Sequence, residues 1–347
     1  MGSEMCIRDS IQTLRIPTPF QVGRVNCYLL EDEPLTLIDA GPNSGKALDE
    51  LEHQLEALGH RIEDIELVIL THQHIDHLGL VDIVAQRSGA KVSAIDAVVP
   101  FVENFGSDAE RDDEEAAELM LRHGISQEVV TALRQVTGSF RAWGSKVKVT
   151  DPFTDGELLK FRDRTLEVQL RPGHSPSDTL FWDEDRRILI AADHLIKHIS
   201  SNPLISRPLD GSSERRQALV EYIESLQKTR ELPAEIVLSG HGEPITDHAE
   251  LITERFALHQ RRAGKLYSLI AEQPRTGHEL AQQLWGDVAV TQAFLTLSEV
   301  IGHVDLLINA GYVREIEKDG VLRYEATSDV TREELGELIP GGNPATP

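Results

Sequence analysis

Leu67-Val68-Ile69-Leu70-Thr71-His72-Gln73-His74-Ile75-Asp76-His77-Leu78-Gly79 is the stretch on which the reading of this chain turns. Residues 67–70 are an apolar run of strand length, and Leu80, Ile83 and Val84 keep helical spacing up to Gly89. Between them, His72 and His74 stand two apart, so extended backbone projects both to one side. Asp76 and His77 fall at the turn into the helix, where the chain can aim two further ligands back. Four metal-competent side chains within six residues exceed what one tetrahedral ion needs from one loop. The pattern predicts two adjacent metals, each completed by distant residues.

Working outward, strands are expected at 25–30, 35–39 and 92–95, with a helix over 47–58 whose Leu48, Leu51, Leu55 and Leu58 share a face. Strand and helix alternate through the first hundred residues, which predicts α/β layering with helices over a largely buried sheet. A helical insert at about 103–137 interrupts this, with two helices broken at Gly124. From Glu103 to Glu128 it carries nine acidic residues against two Arg. Lid and solvated decoration both stay open for it.

Strands resume at 166–170, 179–182, 188–191 and 236–238, with a helix at 214–227. Three strand ends then offer further ligands beside glycine or a turn: Pro172-Gly173-His174, Ala192-Asp193-His194 and Gly240-His241-Gly242. From about residue 250 the pattern becomes three helices and a hairpin across Lys318-Asp319-Gly320, which reads as a winged helix over 251–327. Residues 328–347 read as a polar tail, and 1–10 as a non-native or disordered start lacking a signal-peptide pattern. The catalytic domain is thus expected over 11–250.

The motif at 71–77, followed in order by His174, Asp193 and His241, resembles the metallo-β-lactamase superfamily. Asp39, in Leu37-Ile38-Asp39-Ala40-Gly41, matches that superfamily's first motif. The insert, the segment from Asp193 to Pro203 and the terminal winged helix are similar to its β-lactamase-like protein 2 branch, related to glyoxalase II. The resemblance implies an αβ/βα four-layer sandwich with metals between two sheets. It implies that His72, His74 and His174 hold one metal, that Asp76, His77 and His241 hold the second, and that Asp193 bridges both. Asp39 would support the loop without binding metal.

Five imidazoles and two carboxylates suit two Zn²⁺, although a carboxylate-bearing site also accepts Fe or Mn. The expected chemistry is hydrolysis by a bridging hydroxide that titrates near neutral pH, with Asp76 and Asp193 in catalytic positions. His194, His198, Lys197, Arg207 and Arg171 are candidate substrate contacts because they fall in or beside the loops expected to border the metals. The remaining histidines, such as His53, His123, His259 and His303, read as surface or core residues.

Charge narrows the partner. The chain has 347 residues, with 34 Lys plus Arg against 58 Asp plus Glu, a net −24. Such a field disfavours polyanions. The favoured substrate is therefore a small thioester, ester or lactone. Single-stranded RNA, implied by the branch resemblance, is the alternative. A metal-binding scaffold or winged-helix regulator with a vestigial site is a third reading. The winged-helix stretch from Arg262 to Glu325 has six basic against nine acidic residues, so no specific DNA binding is expected and packing or homodimerisation is preferred. No run is long and apolar enough for a membrane span. Cys6 and Cys27 are the sole cysteines, so at most one disulfide could form and a reducing, cytoplasmic setting is expected.

Overall fold

The computed structural model describes residues 10–341 and divides them into two compact units. The first runs to Ala109 and adds Ser139–Ser201 and Pro233–Asp247. The second comprises Glu110–Gly138, Asn202–Leu232 and the chain from His248. The opening residues 1–9, including Cys6, and the end of the expected tail, 342–347, lie outside the described residues.

The first unit holds two five-stranded sheets. One is built in chain order from β1 (Ile11–Ile16), β2 (Val25–Leu30), β3 (Thr36–Ile38), β4 (Leu67–Ile69) and β5 (Lys91–Ser93). β1, β2 and β3 pair antiparallel, whereas β3, β4 and β5 run parallel. Every residue of β2 and β3 is buried, which explains why these strands read as continuous apolar runs. Helix α1 (Gly45–Ala57) is capped by Ser44 Oγ on the Ala47 N–H at 3.1 Å and buries Ala47, Leu51 and Leu55. Two further helices, α2 (Ile75–Leu78) and α3 (Val81–Ser88), follow β4 directly, and α3 ends on Gly89 at φ +73°. α4 (Val99–Glu103) leads out of this half.

The insert follows as α5 (Phe105–Arg122) and α6 (Gln127–Phe140). The second sheet has β6 (Leu158–Lys160), β7 (Thr165–Leu170), β8 (Thr179–Asp183), β9 (Ile188–Ala192) and β10 (Ile236–Ser239), again as neighbours in chain order. β9 and β10 are parallel, with a register shift at Leu238/Ser239 just before the chain leaves the sheet. Bonds join the two sheets: the Asn26 N–H donates to Gly240 O at 2.7 Å, and the Tyr28 hydroxyl donates to Ser239 O at 2.6 Å.

In the second unit, α7 (Ala218–Arg230), α8 (His248–Glu272), α9 (Gly277–Trp285), α10 (Val288–Thr291) and α11 (Ala293–Asn309) precede a hairpin of β11 (Val313–Lys318) and β12 (Val321–Ala326). One division falls at Asp247/His248, close to the expected boundary near 250, but the second unit also takes in Glu110–Gly138 and Asn202–Leu232. Ala117, Met120, Ile125 and Val130 of the insert pack with Ala293, Leu297 and Ile301, so apolar burial ties the insert to the C-terminal helices. α7 begins at Ala218 rather than 214, because Gln217 at its N-cap holds non-helical backbone at φ −90° and ψ 70°.

The expected polar tail from 328 is in fact partly folded. α12 (Arg332–Gly336) starts with a capping box between Thr331 and Glu334. Ile339 is 1% exposed, and its N–H donates to Gln260 Oε1 at 3.0 Å. Among the described residues, no helix is long and apolar enough to cross a membrane.

Candidate metal centre

Five strand ends of the first unit bring the predicted ligands together. β3 ends at Asp39, β4 at the 71–77 turn, β7 at the turn to His174, β9 at Asp193 and β10 at His241. Two residues bearing a Cβ take left-handed backbone here, Asp39 at φ +58° and Ala192 at φ +43°. That region is sparsely populated without glycine, and it re-aims the chain where the ligands must converge. The His174 turn is closed by Asp178, which accepts from the Ser175 N–H at 3.0 Å and its hydroxyl at 2.7 Å.

The donor atoms form two neighbouring clusters. His72 Nε2 and His174 Nε2 lie 3.0 and 2.9 Å from His74 Nδ1. His77 Nε2 is 3.5 Å from Asp193 Oδ1, and His241 Nε2 is 3.4 Å from Asp76 Oδ2 and 3.5 Å from Asp193 Oδ2. Asp193 Oδ2 also lies 3.6 Å from His174 Nε2, so this one carboxylate faces both clusters. Two ligands each about 2.1 Å from a tetrahedral ion stand about 3.4 Å apart, which is close to the separation seen between these carboxylates and imidazoles. It is too long for a good N–H···O bond. His77 Nε2, His241 Nε2 and Asp193 Oδ1 are buried without any hydrogen-bond partner. Such orphaned atoms are costly unless a cation satisfies them, and the donor set fits a divalent metal.

The opposite ring nitrogens are already committed. His77 Nδ1 donates to Asp39 Oδ2 at 2.7 Å, and His241 Nδ1 donates to Arg24 O at 2.8 Å. His72 Nδ1 lies 3.0 Å from Thr71 Oγ1, whose own proton goes to Asp39 Oδ2 at 2.8 Å. Each arrangement leaves Nε2 as the free lone pair, which is how ligating histidines are oriented. Asp39 therefore supports two ligands and the loop itself, since it also accepts the Thr71 N–H at 2.9 Å.

Electrostatics separates the two clusters. Burial, reinforced by neighbouring imidazoles, holds His72 well below the usual histidine range and His74 at about 3. Burial opposes charge on His77 and His241 too, but Asp193, with Asp39 or Asp76, outweighs it, lifting His77 well up and His241 to about 10. The same pairing holds Asp193 well below the carboxylate range despite its burial. Without a metal, protons on His77 and His241 balance the carboxylates; a divalent ion would take their place.

The substrate-contact candidates fare unevenly. His198 is exposed and lines a cavity of about 260 Å³ with Arg15, Val22, Arg24, Asn26 and Gly242. Lys197 is exposed in the same loop. His194 is 0% exposed, which leaves no surface for a substrate to touch. Arg171 folds back on its own strand, donating to Leu170 O at 2.9 Å and Gln169 Oε1 at 3.0 Å. Arg207 belongs to the second unit, where it pairs with Asp112 at 2.5 Å, because the acidic insert supplies its counter-charge.

Sequence reading missed Asn26, whose Nδ2 donates to Ser239 O at 2.9 Å and Gly242 O at 3.0 Å and so fixes the His241 turn. Gly240, which the sequence places beside His241, is a point of close approach: a Cβ there would stand 2.1 Å from Asp193 Oδ1. Asn26, inside an apolar strand, was a polar residue demanding an explanation.

The fold and the site define a metal-binding α/β hydrolase. The metallo-beta-lactamase superfamily model matches residues 21–241, and the chain belongs to that superfamily, with its αβ/βα sandwich. It is 32% identical over 299 residues to the "Probable metallo-hydrolase YqjP" of Bacillus subtilis, covering 86% of this chain and 92% of that one. It is 23% identical over 274 residues to the "Beta-lactamase-like protein 2 homolog" of Caenorhabditis elegans, covering 78% and 74%. Among solved structures, a metallo-beta-lactamase family protein from Thermus thermophilus superposes with a TM-score of 0.75 at 27% identity, covering 91% of this chain and 98% of that one.

Proposed function

We propose that this protein is a dinuclear hydrolase that cleaves a small acyl substrate, a thioester, ester or lactone, and that zinc is its metal. The observation that carries the substrate class is the net charge of −24, which disfavours a polyanion; a cavity of about 260 Å³ lined by Asn26, His198 and Gly242 has room for part of a small molecule. Two cations held by the seven ligands would supply a water activated near neutral pH and a Lewis acid for the substrate oxygen. The chain's own contribution is placement. Asp193 faces both clusters, Asp39 and Thr71 lock the imidazoles, and burial of the ligands excludes bulk water from all but the reacting face. Arg15 and Arg24 border the cavity but are paired with Glu243 at 2.8 Å and Glu50 at 3.4 Å, which leaves the exposed His198 as the polar group we read as meeting the substrate.

Single-strand-specific RNA cleavage, which the branch resemblance of the sequence implies, is the competing reading. Against it stand the net charge of −24 and the scarcity of aromatic residues, 5% of the chain, on which bases could stack. We read the C-terminal helices and hairpin as a winged helix used for packing or for homodimer formation. The scarcity of cysteine suits the protein to a reducing cytoplasm.

The test is a panel of thioesters, lactones, phosphodiesters and short single-stranded RNA on metal-quantified protein, with Asp193→Ala as control. Acyl cleavage that is lost in Asp193→Ala and restored to chelator-treated wild type by Zn²⁺ is expected. RNA cleavage at a higher kcat/KM than any acyl substrate overturns the reading, and so does metal-independent turnover.

A further inference from the structure

The second unit carries another set of metal-competent side chains, which the hydrolytic site does not use. His259 lies on α8, and Glu299 and His303 lie four residues apart on one face of α11. One donor atom from each of the three lies within 4.8 Å of the others. Both histidines are 0% exposed, and the Glu299 side chain is 11% exposed.

The hydrogen bonds point to a lone-pair cluster. His303 Nδ1 donates to Glu299 O at 2.6 Å, one turn back on its own helix, which leaves Nε2 as a lone pair. His259 Nδ1 stands 3.0 Å from that nitrogen. The His259 Nε2 is buried with no partner, so without a metal the His259 proton sits on Nδ1 and is donated to His303 Nε2. Glu299 Oε1 takes the Arg262 guanidinium at 2.8 Å, while Oε2 is buried with no hydrogen bond. Its neighbour at 3.3 Å, His303 Nδ1, has already given its proton to the backbone. A buried carboxylate oxygen is thus left for a cation to satisfy, and the same cation would replace the single proton held between the two facing imidazole nitrogens.

We propose that His259, Glu299 and His303 bind one divalent transition-metal ion that ties α8 to α11. Two imidazoles and one carboxylate, with a water in the fourth position, suit Zn²⁺ or Co²⁺ rather than Mg²⁺ or Ca²⁺. The backbone carbonyl behind His303 is the outer-shell partner that such ligands use. Arg262, on the far carboxylate oxygen, fixes Glu299 without occupying its second oxygen. The site is separate from the hydrolytic centre in every ligand and does not depend on the reaction proposed above.

The test uses the full chain, stripped of metal, dialysed against Zn²⁺ alone and counted by mass spectrometry. Wild type is expected to hold one equivalent more than His303→Gln, and Glu299→Gln to weaken that equivalent at least tenfold. Co²⁺ in place of Zn²⁺ should give a d–d absorption component absent from His303→Gln. Circular dichroism checks that each variant is folded, and if His303→Gln is not, Glu299→Gln carries the comparison. Equal metal counts and equal affinities in wild type and the folded variants overturn the proposal, leaving an imidazole pair that only packs.

Discussion

Asp39 Oδ2 accepts the Nδ1–H of His77 at 2.7 Å, in a contact where the imidazole is 0% and the carboxylate 3% exposed. A carboxylate only accepts, so this bond fixes the proton on Nδ1 and turns Nε2 towards Asp193. Asp39→Asn removes the charge and can present an N–H in its place. We expect metal affinity to fall about 10–100-fold, as for other partners standing behind ligating histidines. Competition with a chromophoric chelator measures it, and activity should return at excess metal.

Gly240→Ala tests how closely the ligand turns approach. The added Cβ would meet Asp193 Oδ1 at 2.1 Å and His77 Cε1 at 3.0 Å, so the carboxylate must move. Displacing a reacting group by about 1 Å costs about 10²-fold in rate. Turnover per chain should fall by that factor and metal occupancy with it, while far-ultraviolet circular dichroism stays unchanged.

His123 predicts a pH dependence in the second unit. Burial, then Arg215 and Arg122, push its pKa from 6.5 down to about 4, and its ring stacks on Tyr324 at 5.7 Å. The unfolded chain therefore binds a proton that the folded one refuses between those values. Stability from this group is complete above pH 6.5 and is lost as pH falls towards 4, by at most about 3 kcal/mol. Urea titrations from pH 7 to 4 should show the slope, and His123→Gln should make it shallower, the remainder coming from other histidines held low by burial, such as His74.

Arg215 and Asp305 form a bidentate pair at 2.8 and 2.6 Å, with the Asp305 side chain 2% exposed. Arg215→Ala strands that carboxyl and should destabilise the protein by about 3 kcal/mol. Arg215→Met combined with Asp305→Leu should recover most of the loss, because removing both partners leaves no unmatched charge. Chemical denaturation of wild type, Arg215→Met, Asp305→Leu and the double variant gives the coupling directly.

The site was legible because its residue types are rare in combination. Four ligand types after a buried strand, and three strand-end turns downstream, led directly to the seven residues that the structure gathers. Strands flanked by turn residues were read to within a residue or two, since burial on both faces makes them unbroken apolar runs. β1 was not anticipated: Ile11, Leu14 and Ile16 are buried, but the strand begins beside a start that was set aside. Arg171 and Arg207 show the limit for single charges. Position in the chain says which loop a side chain leaves, while its partner, Gln169 in one case and Asp112 in the other, depends on packing that no local pattern encodes.

The bonds from Asn26 and Tyr28 to Gly240 and Ser239 have a consequence for biogenesis. The turn bearing His241 takes its place only when β10 is laid beside strands made more than two hundred residues earlier. A chain still emerging from the ribosome can assemble His72, His74, Asp76 and His77, yet it offers an incoming ion no closed cage. A cage that includes His241 can therefore close only after translation of the whole domain, which places metal supply after synthesis.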